Sequence, residues 1–155
     1  MDGSKQEIIF SDEVLAHFSH YRQLRFWHKE AGGQLFAHFS GTKIHIIKAT
    51  GPRKPDWRTR FLYFAHRPSE RIEIEALFKE GLHYVGDWHT HPEKIPKPSQ
   101  LDIQTYYETF RLSKHDLAGM VFVIVGQELA PLGLYIGICN GLFLSQLNFG
   151  YISST

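Results

Sequence analysis

Cysteine is almost absent: Cys139 is the only one in 155 residues, so no internal disulfide can form. That fits a reducing compartment, and a cytoplasmic location is the expectation. Excess charge is missing too. Seventeen basic and sixteen acidic side chains leave a formal net charge of +1, and so weak a field demands neither nucleic acid nor an anionic membrane as partner. No apolar run approaches the roughly 20 residues needed to span a bilayer. The first six residues, Met1-Asp2-Gly3-Ser4-Lys5-Gln6, lack the apolar stretch of a signal peptide. No Gly-x-Gly-x-x-Gly follows a strand-like run, which argues against a dinucleotide fold. Repeats, low-complexity segments and linkers are absent as well. With 43% hydrophobic residues the chain is long enough to bury a real core without staples. Residues 1–155 are expected to form one domain.

Periodicity supplies the elements that are present. Apolar residues at Val14, Leu15, Phe18, Tyr21 and Leu24 recur at helical intervals behind Ser11-Asp12, predicting a capped helix that ends before Glu30. Gly32-Gly33 breaks that pattern, and Gln34–Phe39 and Ile44–Ala49 read as a hairpin across Ser40–Lys43. Gly51–Arg58 reads as a loop, Arg60–Ala65 as a strand, and Ser69 to Gly81 as a second helix closed by glycine. His83–His91 is the next strand, Pro92–Pro98 an irregular loop with three prolines, and Ser99–Leu112 a third helix. Met120–Val125, Leu132–Ile138 and Leu142–Leu147 complete the chain as strands. This order predicts an α/β (α+β) domain, a mixed sheet flanked by helices.

Of ten histidines, seven (His17, His20, His28, His38, His45, His66 and His115) show no ligand spacing and read as surface or packing residues. His89-Thr90-His91 is different. Alternate strand residues share a face, so the two imidazoles project side by side about 7 Å apart at Cα, with Thr90 turned into packing. Such a pair can converge on one ion with bonds of about 2.0–2.1 Å. Asp102, eleven residues beyond His91, can arrive as a third ligand on the first turn of a helix, leaving a fourth position for water. Taken alone, Ser99-x-x-Asp102 reads better as a capping box, and the two duties compete for one carboxylate. Glu30 before Gly32-Gly33 can bring a carboxylate to the same place as a general base, or can simply close a helix.

Glu30-x-Gly32-Gly33, His89-Thr90-His91-Pro92 and, after seven intervening residues, Ser99-x-x-Asp102 together resemble the JAMM (MPN-plus) metalloprotease family. The resemblance implies a cytidine-deaminase-like fold, one Zn2+ held by His89, His91 and Asp102, and Glu30 as general acid/base. It also implies that Ser99 supports the oxyanion of the tetrahedral intermediate. The implied substrate is the bond after the tail of a ubiquitin-like protein or its conjugate. One departure is Leu35-Phe36-Ala37, where the family often has Leu-Leu-Gly. The compact length is similar to stand-alone bacterial members found in antiphage (CBASS) and ubiquitin-like conjugation operons, which implies activating- and conjugating-enzyme homologues as partners.

Other readings remain open. A base deaminase needs His-x-Glu and Pro-Cys-x-x-Cys, which one cysteine cannot supply. Cys139, set among glycines in a strand-like run, reads as a small buried hydrophobe rather than a nucleophile. A non-catalytic MPN-type scaffold and a peptidase acting on a sulfur-carrier fusion are the remaining alternatives.

Overall fold

A computed structural model describes residues 7–113 and 117–147 and the backbone of 152–154. Met1–Gln6 and His115 lie outside the described residues. An eight-stranded mixed sheet carries the fold, ordered β10-β1-β3-β2-β6-β7-β8-β9. Its strands are β1 (Glu7–Phe10), β2 (Gly32–Ser40), β3 (Lys43–Ala49), β6 (His83–Thr90), β7 (Met120–Val125), β8 (Leu134–Cys139), β9 (Leu144–Gln146) and β10 (Ile152–Ser154). A separate two-stranded ribbon pairs β4 (Trp57–Arg58) with β5 (Tyr63–Phe64). The helices are α1 (Asp12–His20), α2 (Arg67–Lys79) and α3 (Gln100–Leu112). The α+β architecture read from the sequence is the one observed.

Strands β2, β6 and β7 lie in the middle of the sheet, so they must be apolar on both faces. Accordingly β7 is buried along its whole length, and Leu35, Phe36 and Ala37 are fully enclosed. Leu35-Phe36-Ala37 therefore acts as packing, and the strand shifts register against both neighbours in that stretch. On β6 the pairing passes from Tyr84 to Gly86 and skips Val85. This bulge re-aims the side chains. Val85, Trp88 and Thr90 point toward α1, where Val85 and Trp88 join Val14 and Phe18 in the main core. Tyr84 and Asp87 share the opposite face, where the tyrosine hydroxyl donates to the carboxylate at 2.7 Å.

Helices α2 and α3 cover that opposite face. Leu77 of α2 packs on Phe36, and Tyr106 of α3 stacks on Phe122 with ring centroids 4.1 Å apart. Cys139 is wholly buried beside them, as a small hydrophobe. Among the described residues no helix is long and apolar enough to cross a membrane.

Several boundaries differ from the sequence expectation. Helix α1 stops at His20 instead of running toward Glu30, because Gln23 turns inward to bond to the backbone carbonyls of His28 and Arg60. Those bonds need an irregular loop, and Leu24, expected on the apolar stripe, is half exposed. The strand expected over Arg60–Ala65 shrinks to Tyr63–Phe64, and its partner Trp57–Arg58 comes from the presumed loop. Helix α2 begins at Arg67, two residues before Ser69, with Pro68 in its first turn. Strand β1 and the edge strand β10 beside it were not expected. The last two of the three closing runs begin later than read, at Leu134 and Leu144.

Candidate metal centre

The centre forms where β6 ends, between the start of β2 and the start of α3. Gly32 and Gly33 open β2 beside it, and both are required by close approach. A Cβ on Gly32 would stand 2.6 Å from the Tyr63 ring, and one on Gly33 would collide with the Thr50 carbonyl. This contact brings Glu30, two residues earlier, up to the histidines. Thr59 accepts the Glu30 amide at 2.7 Å, and Arg58 Nε donates to the Glu30 carbonyl at 2.7 Å. The three-proline loop is fastened by Gln127 and Glu128 amides, which donate to the Glu93 and Lys94 carbonyls at 2.7 and 3.2 Å. It delivers Ser99 as the N-cap of α3.

His89 and His91 project from one face, and their Nε2 atoms stand 3.1 Å apart. Asp102 reaches both: Oδ1 lies 3.2 Å from His89 Nε2 and Oδ2 lies 3.1 Å from His91 Nε2. Glu30 completes a group with the two histidines in which one donor atom from each lies within 4.8 Å of the others. His91 Nδ1 is 2.7 Å from Glu93 Oε1. A proton on Nδ1 shared with that carboxylate leaves Nε2 as the nitrogen that faces Asp102, donating to it when protonated and offering a lone pair to a cation when not.

The capping box is closed at the same time. Asp102 N–H donates to Ser99 Oγ at 3.0 Å, and Ser99 N–H donates to Asp102 Oδ2 at 2.8 Å. The competition expected from the sequence does not arise. A carboxylate has about four lone-pair directions, so Asp102 serves the helix and the imidazoles together. Ser99 uses its oxygen as acceptor for the Asp102 amide, which leaves its own hydroxyl proton free to donate.

Charge explains why these groups need one another. Burial works to raise the Asp102 carboxyl. Hydrogen bonds from His89, His91 and the Ser99 amide outweigh it and hold the group well below the usual carboxylate range. Burial pulls His91 down, but the bonds to Asp102 and Glu93 leave its imidazole above its ordinary value. Glu30 is pushed up to about 8, chiefly by burial, with His91 opposing and Asp102 reinforcing. The result is one firmly ionised carboxylate and one that holds a proton near neutrality.

The donor set suits a small divalent ion. Two bonds of about 2.0–2.1 Å at a tetrahedral angle leave donor atoms about 3.3 Å apart. The His–His and His–Asp separations of 3.1, 3.2 and 3.1 Å are close to that value. Two inward lone pairs and a carboxylate at such distances repel unless a proton or a cation lies among them.

The residues singled out in the sequence therefore converge: Glu30, His89, His91, Ser99 and Asp102 all border one cavity of about 420 Å³. Sequence reasoning missed the supports. Thr90, wholly buried between the histidines, accepts the Ala31 amide at 2.9 Å and donates to Gln23 at 2.7 Å. Arg58 and Gln23 lie too far along the chain from the motif to be linked to it by spacing. Glu93, two residues beyond His91, was within reach of a local reading.

Comparison with known proteins identifies the family. Residues 12–133 match the family of prokaryotic homologs of the JAB domain. A Pseudomonas aeruginosa protein named CD-NTase/cGAS isopeptidase is 32% identical over 145 residues, covering 90% of this chain and 87% of the relative. An Escherichia coli protein of the same name is 27% identical over 131 residues, covering 83% and 81%. The solution structure of a Desulfitobacterium hafniense protein superposes with a TM-score of 0.60 at 17% identity, over 96% of this chain and 92% of the other. That last likeness concerns the fold alone. With a matching family model over most of its length and the family's motif residues gathered at one cleft, the chain belongs to the prokaryotic JAB-domain (JAMM/MPN) family.

Proposed function

We propose that this protein is a zinc-dependent isopeptidase that acts as one cytoplasmic domain. It would hydrolyse the bond joining a protein's C-terminal tail, of the ubiquitin-like kind or similar, to an amine. The observation that carries this reading is the contact of Asp102 with both His89 and His91 at 3.2 and 3.1 Å, with Glu30 beside them. His89, His91 and Asp102 would hold the ion, since Asp102 is the ionised carboxylate and touches both imidazoles. When bound, zinc supplies Lewis acidity, which makes water a stronger acid and polarises a carbonyl.

Glu30 then has the work of a proton carrier. With a cation beside it, which favours the ionised form, its buried carboxylate would take a proton from the attacking water as the water oxygen bonds to the scissile carbonyl carbon. It returns that proton to the amine nitrogen as the carbon–nitrogen bond breaks, releasing a carboxylate and a free amine. Ser99 donates its hydroxyl to the carbonyl oxygen as negative charge develops there, an interaction worth about 3–4 kcal/mol in comparable sites. Arg58 and Thr59 hold the Glu30 backbone, so the carboxylate swings from a fixed point.

The relatives' name supports a conjugate of a CD-NTase/cGAS-type protein as substrate, and enzymes that activate and conjugate such a tail would be its partners. A purely structural role gives no reason for two lone-pair-bearing imidazoles and two carboxylates to be buried together. The test is direct. A CD-NTase joined through its C-terminal carboxyl to a lysine side chain is incubated with the protein, and the products are weighed by mass spectrometry. Water added across the isopeptide bond is expected; an intact conjugate under conditions where the protein is folded and zinc-loaded contradicts the reading.

A further inference from the structure

The rim of this cleft is aromatic and positively charged on one side. Arg22 to Lys29 contains three cations and three large apolar residues, with no acid among them. Phe26 is 78% exposed and Trp27 62%, and Phe61 on the neighbouring loop is 68% exposed. Single exposed hydrophobes are ordinary, but these are grouped and held. Phe26 and Trp27 meet edge to face at 5.0 Å, the Arg25 guanidinium lies 6.0 Å from the Trp27 ring, and Arg60 lies 5.6 Å from Phe61. Arg60 Nη1 donates to the Arg25 carbonyl at 2.9 Å, tying the two loops into one surface.

The positive charge has no internal counterpart. Arg22, Arg58 and Arg60 spend their side-chain hydrogen bonds on backbone carbonyls. Among the described residues, the ion pairs involve Arg53, Arg67 and the two site histidines, and none of these rim cations. The surface also runs into the cleft, since Phe61 shares the cavity wall with Glu30 and Arg58 holds the Glu30 carbonyl.

We propose that this patch docks the folded body of the protein whose tail enters the cleft, and that this body presents an apolar surface ringed by aspartate and glutamate. The inference rests on the isopeptidase reading and specifies its substrate. Exposed aromatics beside arginine have the composition of binding hot spots, and the uncompensated charge selects an acidic partner. A second copy of this chain fits poorly, because a two-fold contact would set this basic surface against itself. An anionic lipid surface shares the charge but has no use for an adjoining peptide-bond cleft.

The experiment compares the CD-NTase conjugate with a ten-residue tail peptide bearing an aminomethylcoumarin leaving group. Arg25→Glu and Phe26→Ser are assayed singly and together. Neither residue borders the cavity. The expected result is a rise in KM for the conjugate of about tenfold or more, kcat unchanged, and peptide hydrolysis within about twofold of the parent. The parent's KM for the conjugate should also rise steeply with salt, and that slope should flatten in Arg25→Glu. Equal losses on both substrates, or none on either, overturn the proposal. So does a parent dimer that Phe26→Ser dissociates in sedimentation, or co-sedimentation with phosphatidylglycerol vesicles that Arg25→Glu abolishes. A parent that cleaves neither substrate removes the isopeptidase reading itself, an outcome distinct from these.

Discussion

Thr90 donates its hydroxyl to the side-chain carbonyl of Gln23 at 2.7 Å, in a place where neither residue meets solvent. The same threonine oxygen accepts the Ala31 amide, and the same Gln23 amide group donates to the Arg60 carbonyl at 2.8 Å. One buried pair thus joins the histidine strand, the chain leading from Glu30 and the loop carrying Phe61. Its loss leaves several polar groups stranded, each costing about 1–3 kcal/mol. Thr90→Val, nearly the same shape, is expected to destabilise the fold by about 2–3 kcal/mol in urea unfolding. Gln23→Leu should cost at least as much. An unchanged midpoint for both would show that the network carries no stability.

Asp102 and Ser99 share a helix cap but differ at the ion. Ser99→Ala should lose about 1 kcal/mol of stability and lower kcat by about 10²–10³, with zinc retained. Asp102→Ala should lose the cap and the zinc together. Metal analysis beside thermal unfolding separates the two, and an Asp102→Ala protein with full zinc would make the residue a cap alone.

Glu30 gives the metal-free protein a pH dependence of definite sign. Its folded value is raised from 4.5 to about 8 by burial, so the folded state favours the protonated form. Its contribution to stability is present in full below about 4.5 and is lost as pH rises toward 8. His91, also raised, acts in the same direction, whereas Asp102, held low, loses its contribution only in acid. Chelated protein should therefore weaken between pH 5 and 8 in guanidinium unfolding. Glu30→Gln should remove much of that slope. A slope unchanged by the substitution would assign it elsewhere.

Gly33 is where the Thr50 carbonyl passes closest to β2, and any side chain there must displace backbone. Gly33→Ala is expected to cost several kcal/mol or to prevent folding, while Gly41→Ala, with nothing near its Cβ, should cost only the roughly 1–2 kcal/mol of a side chain held at a φ of 60°. Equal melting temperatures for the two variants would contradict the close approach.

Legibility in the sequence followed locality. The helices that begin at Ser11 and Ser99 were readable because a cap and its helix lie within one turn. His89-Thr90-His91 was readable because strand alternation sets its geometry. Helix α1 was overextended because Gln23 occupies a helical position while its amide bonds to Arg60, 37 residues away, draw it inward. Strand β1 was invisible because its four residues gain their meaning from parallel partners at Ile44 and Ile152. Asp102 defeated local reading differently: its two duties use different lone pairs, which spacing cannot reveal.

The central claim is that His89, His91 and Asp102 form a zinc site served by Glu30. The most direct measurement is metal content of the purified protein and of Glu30→Gln, each followed by the conjugate-hydrolysis assay. The account predicts about one zinc per chain in both, with hydrolysis by the parent and none by Glu30→Gln. A folded, active parent without metal, or a Glu30→Gln protein that turns over at the parent's rate, would contradict it.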